Sequence, residues 1–507
     1  MPFSYFIASA FLCLFLSACV PESEKESSQV DSDFDGVRDE LDFYPNDPGR
    51  AHKITVSIAG LKGAIYLNFG FEGEEFNDDS VFEFGVESGA LVTITIDDKP
   101  ETQSCEISDA SFLAVSKTYN VEVKCSDRQL FSDALSQLPD DNFKSCLSEQ
   151  THMYADQVLR VSCYDKEIES VEGLEQFILV RNLYLDENKL SSIDLTDLSN
   201  LDTLFIASND LVELDLTSNS KLTNLRAPEN NLVDIDLSNN LKLKSLWLVD
   251  NKISSIDVSN NLYLTSINIS ENLLTSLNVS NNSELSVVTL TGNNITKIDL
   301  SSNYKLRYIW LDDNDLTEIK LGHKPELIHL WLSNNHLTDV DVNELPVLQH
   351  LYIENNELVE LDMVNQASLT RIYAGFNNLT SVNVLSNESL ELLVLNNNLL
   401  NDLSLTNNTL LRDLDLSYNQ LNSIGLSENT ELVVLSLSYS ELNELNVSNQ
   451  SKLVYFEAIG NYFEEVPVGL SNIEDLYTPM HLYNNLYTQD ALDELSVLSN
   501  LYHNIFY

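Results

Sequence analysis

An asparagine returns every 21 residues along most of this chain. It stands at 188, 209, 230, 251, 272, 293, 314, 335, 356, 377, 398, 419 and 461, and only Ser440 breaks the column. Thirteen Asn and one Ser define fourteen coils in the frame L-x-L-x-x-N-x-L-x-x-L-D-L-S. One coil of this kind cannot bury its apolar edge alone, so the chain must stack coils into a solenoid whose stability is a sum over neighbours. In the coil of Asn251, Leu246 and Leu248 alternate with outward residues as on a strand, and Ile253, Ile256, Val258 and Leu264 fill the other inward positions. The Asn belongs at the strand exit, where its amide satisfies backbone groups and neighbouring coils share the bonds as a ladder. Gly (15) and Pro (11) are scarce, which leaves Asn as the residue that turns the chain.

The frame resembles the 21-residue leucine-rich repeat of bacterial cell-surface proteins, and more distantly the internalins, whose repeats run one residue longer. The resemblance covers about 161–507. It implies a mainly β solenoid with a concave parallel sheet. Residues 127–176 form the expected N-terminal cap, 177–468 the repeats, and 469–507 a last long repeat with a C-terminal cap. In the first cap, Phe143 to Leu147 reads as a helix starting near Asp140 or Asp141, ahead of a first strand at Val161. At the far end the spacing lengthens to 24, from Asn461 to Asn485, and 488–498 reads as an amphipathic helix with Thr488 as its N-cap.

Residues 1–18 read as a signal peptide rather than as fold. Leu16-Ser17-Ala18-Cys19 resembles a bacterial lipoprotein box, which implies a lipidated Cys19 and an envelope location. The n-region departs from the pattern in carrying no Lys or Arg, and an ordinary cleaved signal is the alternative. Val20 in place of Asp favours the outer membrane over retention at the inner one. Residues 19–50 form a polar tether. Within it, 31–42 places Asp31, Asp33, Asp35, Asp39 and Asp42 at calcium-loop positions, with the Val37 carbonyl as a further ligand and Gly36 at the sharp turn. With Tyr44-Pro45-Asn46-Asp47 the loop resembles half of a thrombospondin type-3 calcium repeat, and a solvated acidic linker is the bland alternative.

From 51 to 126 the pattern changes to period-two alternation at 54–58, 64–69, 81–86, 91–96 and 119–125, as in an antiparallel β-sandwich. Four cysteines remain in the exported chain, and three connectivities are open. Proximity within domains favours Cys105–Cys125 and Cys146–Cys163. The 51–126 segment resembles immunoglobulin-like modules of bacterial surface lipoproteins, in which a Cys near the end pairs with the closing strand. No chemical constellation occurs in it, so it reads as a spacer.

Recognition belongs on the outward positions of the concave sheet. All three Trp of the chain, Trp247, Trp310 and Trp331, share the column four before the Asn, joined by Tyr352 and Tyr373. Tyr308, His329, His350 and Arg371 flank it on one side, Asp312, Ser333 and Glu354 on the other. An aromatic centre with a mixed polar rim is how a protein or glycan site is composed. Stacking between coils without a ligand is the competing explanation. A zinc pair at His329 and His350 is disfavoured against two solvated histidines. Six after the Asn runs an Asp column (Asp194, Asp215, Asp236, Asp257) that needs salt, cations or local hydrogen bonds.

A net charge of −52 argues against nucleic acid and anionic membrane surfaces as partners. Membrane contact is expected through the lipid anchor only. No nucleophile elbow, zinc-type His spacing or phosphate loop is present, so an enzyme and an organic cofactor are not expected. The chain reads as a monomeric, non-catalytic surface protein that recognises protein or polysaccharide, with a structural spacer as the alternative.

Overall fold

The computed structural model describes residues 43–44, 46–47, 50–71, 73–473, 480–502 and 505–507. The signal segment, Cys19 and the loop of Asp31, Asp33, Asp35, Val37, Asp39 and Asp42 lie outside the described residues. The chain divides into two compact units after Arg128.

The larger unit is a solenoid. A 17-stranded parallel sheet runs from Arg160–Ser162 to Ile505–Phe506, with strands in chain order. Each repeat strand is three residues long and pairs one period on, Leu225 with Leu246 and Leu246 with Ile267. Leu246, Leu248, Ile253, Val258 and Leu264 have no solvent exposure, while Ile256 packs against the core but stays partly exposed. Each buried Leu contributes about 1.5–3 kcal/mol, yet only when the neighbouring coil covers it.

The Asn column is a ladder of hydrogen bonds. Asn251 Nδ2 donates to the carbonyl of Ala227 one coil back (3.0 Å) and to Leu248 in its own coil (3.2 Å). Its Oδ1 accepts from Leu232 N–H of the previous coil at 3.0 Å. Ser440 keeps only part of this, donating from Oγ to Leu416 O at 2.8 Å. The residue before the Asn is left-handed in coil after coil, for example Asp250 at φ 53°, Phe376 at 55° and Tyr418 at 59°. A Cβ makes that conformation cost about 1–2 kcal/mol, which the side-chain hydrogen bonds of the following Asn offset. Glu, Phe and Tyr at these sites hide the turn from a reader looking for Gly or Asn.

A second ladder escaped the sequence frame. Ten residues after the first column, Asn219, Asn240, Asn261, Asn282 and Asn303 are fully buried. Asn240 Nδ2 donates to Leu216 O (3.1 Å) and Asn219 O (3.0 Å), and Asn261 repeats the pattern one coil on. Gln366 and Gln450 substitute for Asn in this column; Lys324 and Leu345 interrupt it. The spacing was visible, but only burial tells a structural Asn from the many exposed ones.

Both ends are closed as the sequence suggests. Helix Asp141–Ser148 is capped by Asp140, whose side chain accepts from Phe143 N–H at 2.8 Å. The Cys146–Cys163 disulfide ties this helix to the first coil. Thr488 Oγ1 accepts from Ala491 N–H at 3.3 Å ahead of helix Gln489–Tyr502. The longer last repeat keeps the ladder: Asn485 Nδ2 donates to Ala458 O at 3.0 Å.

The smaller unit has a four-stranded sheet in the spatial order Val81–Val86, His52–Ala59, Thr118–Asp127, Gln103–Ile107. Strand Ile65–Asn68 pairs with Gly73–Phe76 and Thr95–Asp98, and Leu91–Thr93 pairs with Ser111–Leu113. One pairing differs from an all-antiparallel arrangement. His52–Ala59 runs parallel to Thr118–Asp127, because everything between them serves as the crossover. The expected strand 91–96 is two, with fully buried Ile94 between them. Cys105 and Cys125 face each other across an antiparallel pair and form a disulfide.

Candidate functional site

The alternation that buries Ile309, Leu330, Leu351 and Ile372 turns their neighbours outward on four successive strands. Register then brings Trp310, Trp331, Tyr352 and Tyr373 side by side. Their rings stack face to face, with centroids 4.7, 5.1 and 4.8 Å apart and planes within 15° of each other. These separations match the strand spacing of about 4.8 Å, so the solenoid itself sets the stack. Trp331 and Tyr352 carry a ring on each face, Tyr308 also stacks on Trp310 at 5.6 Å, and Tyr373 has one ring neighbour in the stack; all four rings are half-buried.

A second row runs alongside. Tyr308 lies edge-on to His329 at 5.4 Å, and His329 stacks on His350 at 4.2 Å with planes 16° apart. The nitrogen lone pairs of two stacked imidazoles lie in separate, nearly parallel ring planes, which does not suit a shared zinc ion. Among the described residues no cluster of three or more His, Cys, Asp or Glu could hold a metal. Burial lowers the pKa of both histidines, and His350 is lowered further by His329 and Arg371. On the other flank, burial pushes the Asp312 carboxyl up to about 6, although it accepts from Ser333 N–H at 2.9 Å. Burial also raises Glu354. The site is therefore an aromatic spine between a row of weakly basic histidines ending in exposed Arg371 and a row of reluctant acids.

Trp247 is not brought to this stack. Asn268 and Thr289 occupy the intervening coils of the column. Instead the Arg226 guanidinium lies between the rings of Phe205 (4.9 Å) and Trp247 (4.8 Å), with Tyr184 edge-on to Phe205. The aromatic column is thus two clusters, one built on stacking and one on a cation between rings.

The Asp column is tied down locally. Asp215 Oδ1 accepts from Thr217 N–H (2.9 Å) and Oγ1 (2.6 Å), and Asp236 and Asp257 accept from Ser238 and Ser259 N–H at 2.8 Å. Hydrogen bonds from these Thr and Ser groups hold the three carboxyls below the usual range.

No family model and no curated relative matches the chain. Solved structures do. The functional domain of InlJ from Listeria monocytogenes, described as including a cysteine ladder, is 27% identical, with a TM-score of 0.62 over 70% of this chain and 81% of that one. A leucine-rich repeat protein of Leptospira interrogans is 20% identical, with a TM-score of 0.59 over 75% of this chain and 99% of that one. The array is a leucine-rich repeat solenoid. Its ladders are of asparagine, and the four described cysteines of the chain form two disulfides, one within each unit.

Proposed function

We propose that this chain is a non-catalytic binding protein of the bacterial envelope, anchored by lipid on Cys19, probing its partner with the concave face around Trp310, Trp331, Tyr352 and Tyr373. The stack of four half-exposed rings carries the proposal. Glycan sites use aromatic faces as platforms, and here both faces of Trp331 and Tyr352 are occupied by neighbouring rings. Edges bearing indole N–H and phenol O–H groups, with Arg371 and the histidines beside them, suit a protein partner better. The outer membrane, a monomeric state and a stiffening calcium ion in the 31–42 loop belong to the same proposal. Among the described residues no helix is long and apolar enough to cross a membrane.

A spacer without a ligand is the second reading, favoured by the same ring-on-ring contact, since each stacked pair is worth about 0.5–1.5 kcal/mol. Replacing Trp310, Trp331 and Tyr352 together by Ala separates the two. As a binding surface, the triple variant loses capture on an array of surface and matrix proteins and still folds. Unchanged capture with a lowered melting temperature would assign the stack to stability alone.

A further inference from the structure

The strand-entry edge of the first coils holds a groove of about 640 Å³ lined by Arg181, Lys221 and Lys242, with Asn182, Asp202 and Thr223. The chain has 27 basic and 79 acidic residues, so three cations on one small groove run against the whole molecule. Lys221 and Lys242 hold the same position, nine before the Asn column, on successive coils. Elsewhere in that position a lysine is neutralised from the coil before. Lys305 reaches Glu284 at 2.6 Å, and Lys452 reaches Glu431 at 2.5 Å. The groove has no such partner. Lys221 donates to Asn200 Oδ1 at 2.6 Å, and the residue one coil before Lys242 is Lys221 itself. Among the described residues Arg181, Lys221 and Lys242 make no ion pair. Asp202, the one carboxylate of the lining, accepts from the Thr223 hydroxyl at 2.8 Å.

Like charges one strand spacing apart repel, and an anion between them turns that repulsion into binding. We propose that this groove binds an acidic polysaccharide, with Arg181, Lys221 and Lys242 holding carboxylate or sulfate groups and Asn182 a sugar hydroxyl. A polymer with regularly spaced charges can run along the solenoid, meeting one lysine per coil. The lining has no aromatic or large aliphatic side chain, so it lacks the apolar anchor on which a peptide ligand depends. The groove is separate from the ring stack and stands or falls without it.

Calorimetry on the full-length protein at low salt tests this with four probes: oligogalacturonate, a heparin-derived oligosaccharide, neutral dextran and polyglutamate. One or both acidic glycans should bind, more weakly as salt is raised. The response to the first two tells carboxylate from sulfate recognition. Lys221→Gln with Lys242→Gln should weaken binding by about tenfold or more, while Lys305→Gln, at the same coil position but already paired with Glu284, leaves it unchanged. Lys221→Glu guards against a folding artefact, because it puts a glutamate one coil before Lys242, as Glu284 stands before Lys305 and Glu431 before Lys452; it should keep the melting temperature and still lose the glycan. The proposal is overturned if neither acidic glycan binds. It is equally overturned if dextran or polyglutamate binds as well, or if the folded lysine variants bind like wild type.

Discussion

Asn314 makes four contacts that an apolar side chain of similar size cannot. Its Nδ2 donates to Leu290 O (3.0 Å), Leu311 O (3.2 Å) and Asp312 O (3.1 Å), and its Oδ1 accepts from Ile295 N–H at 3.0 Å. Asn314→Leu adds hydrophobic bulk, yet it should destabilise the array by about 1–3 kcal/mol for each backbone group left stranded. A melting temperature equal to wild type would contradict the ladder. Lys324 poses the opposite case. It stands in the second ladder, fully buried, with Nζ donating to Leu300 O at 2.9 Å and to Leu321 O. Burial pushes its pKa down to about 8 from 10.5, against the pull of Asp299. Below pH 8 the fold carries the charge at a cost. Between 8 and 10.5 the unfolded chain keeps a proton that the folded one has released, so stability rises with pH across that window. Lys324→Asn should therefore be more stable by about 1–3 kcal/mol at pH 7, with the gain shrinking from pH 8 to 10.5. A gain that does not vary with pH in thermal unfolding would mean that the lysine charge is not its source.

At the scale of one coil, neighbours are interchangeable. Removing 273–293 deletes one strand, one residue of each ladder and one set of core leucines, and it leaves Asn272 facing Asn314 and Asn261 facing Asn303. Every column continues across the join. The deletion should thus cost less than Asn314→Leu, and circular dichroism should show the same β signature from a shorter molecule. If it unfolds the array while Asn314→Leu is silent, the coils are not equivalent units. Strand positions, both cap helices and the Asn314 ladder were legible because each leaves a periodic or capping signature in the residues. The left-handed turn and the Asn240 ladder were not, since their residues are common on surfaces too. Nor was the parallel pairing of His52–Ala59, since alternation marks a strand without naming its neighbour.

For the whole molecule, the acidity keeps polyanions away everywhere except where cations gather, as at Lys221 and Lys242. The Asp loop at 31–42 should bind one calcium ion at roughly 10⁻⁴–10⁻³ M, the range of extracellular modules. Calorimetry on the full chain should lose that signal in Asp33→Ala with Asp35→Ala, and a heat that survives would remove calcium from the loop. The sequence alone determined the solenoid, because a period of 21 with a buried edge has one way to close, by stacking. It also determined which residues face outward, and so found Trp310, Trp331, Tyr352 and Tyr373. Only the tertiary structure decided that their rings stack on each other, that Trp247 joins Arg226 instead, and that Lys221 and Lys242 lack the glutamates that neutralise Lys305 and Lys452. A period places a side chain in a column. Its exposure, partners and charge depend on the coil stacked beside it, which lies 21 residues away in sequence and about 4.8 Å away in space.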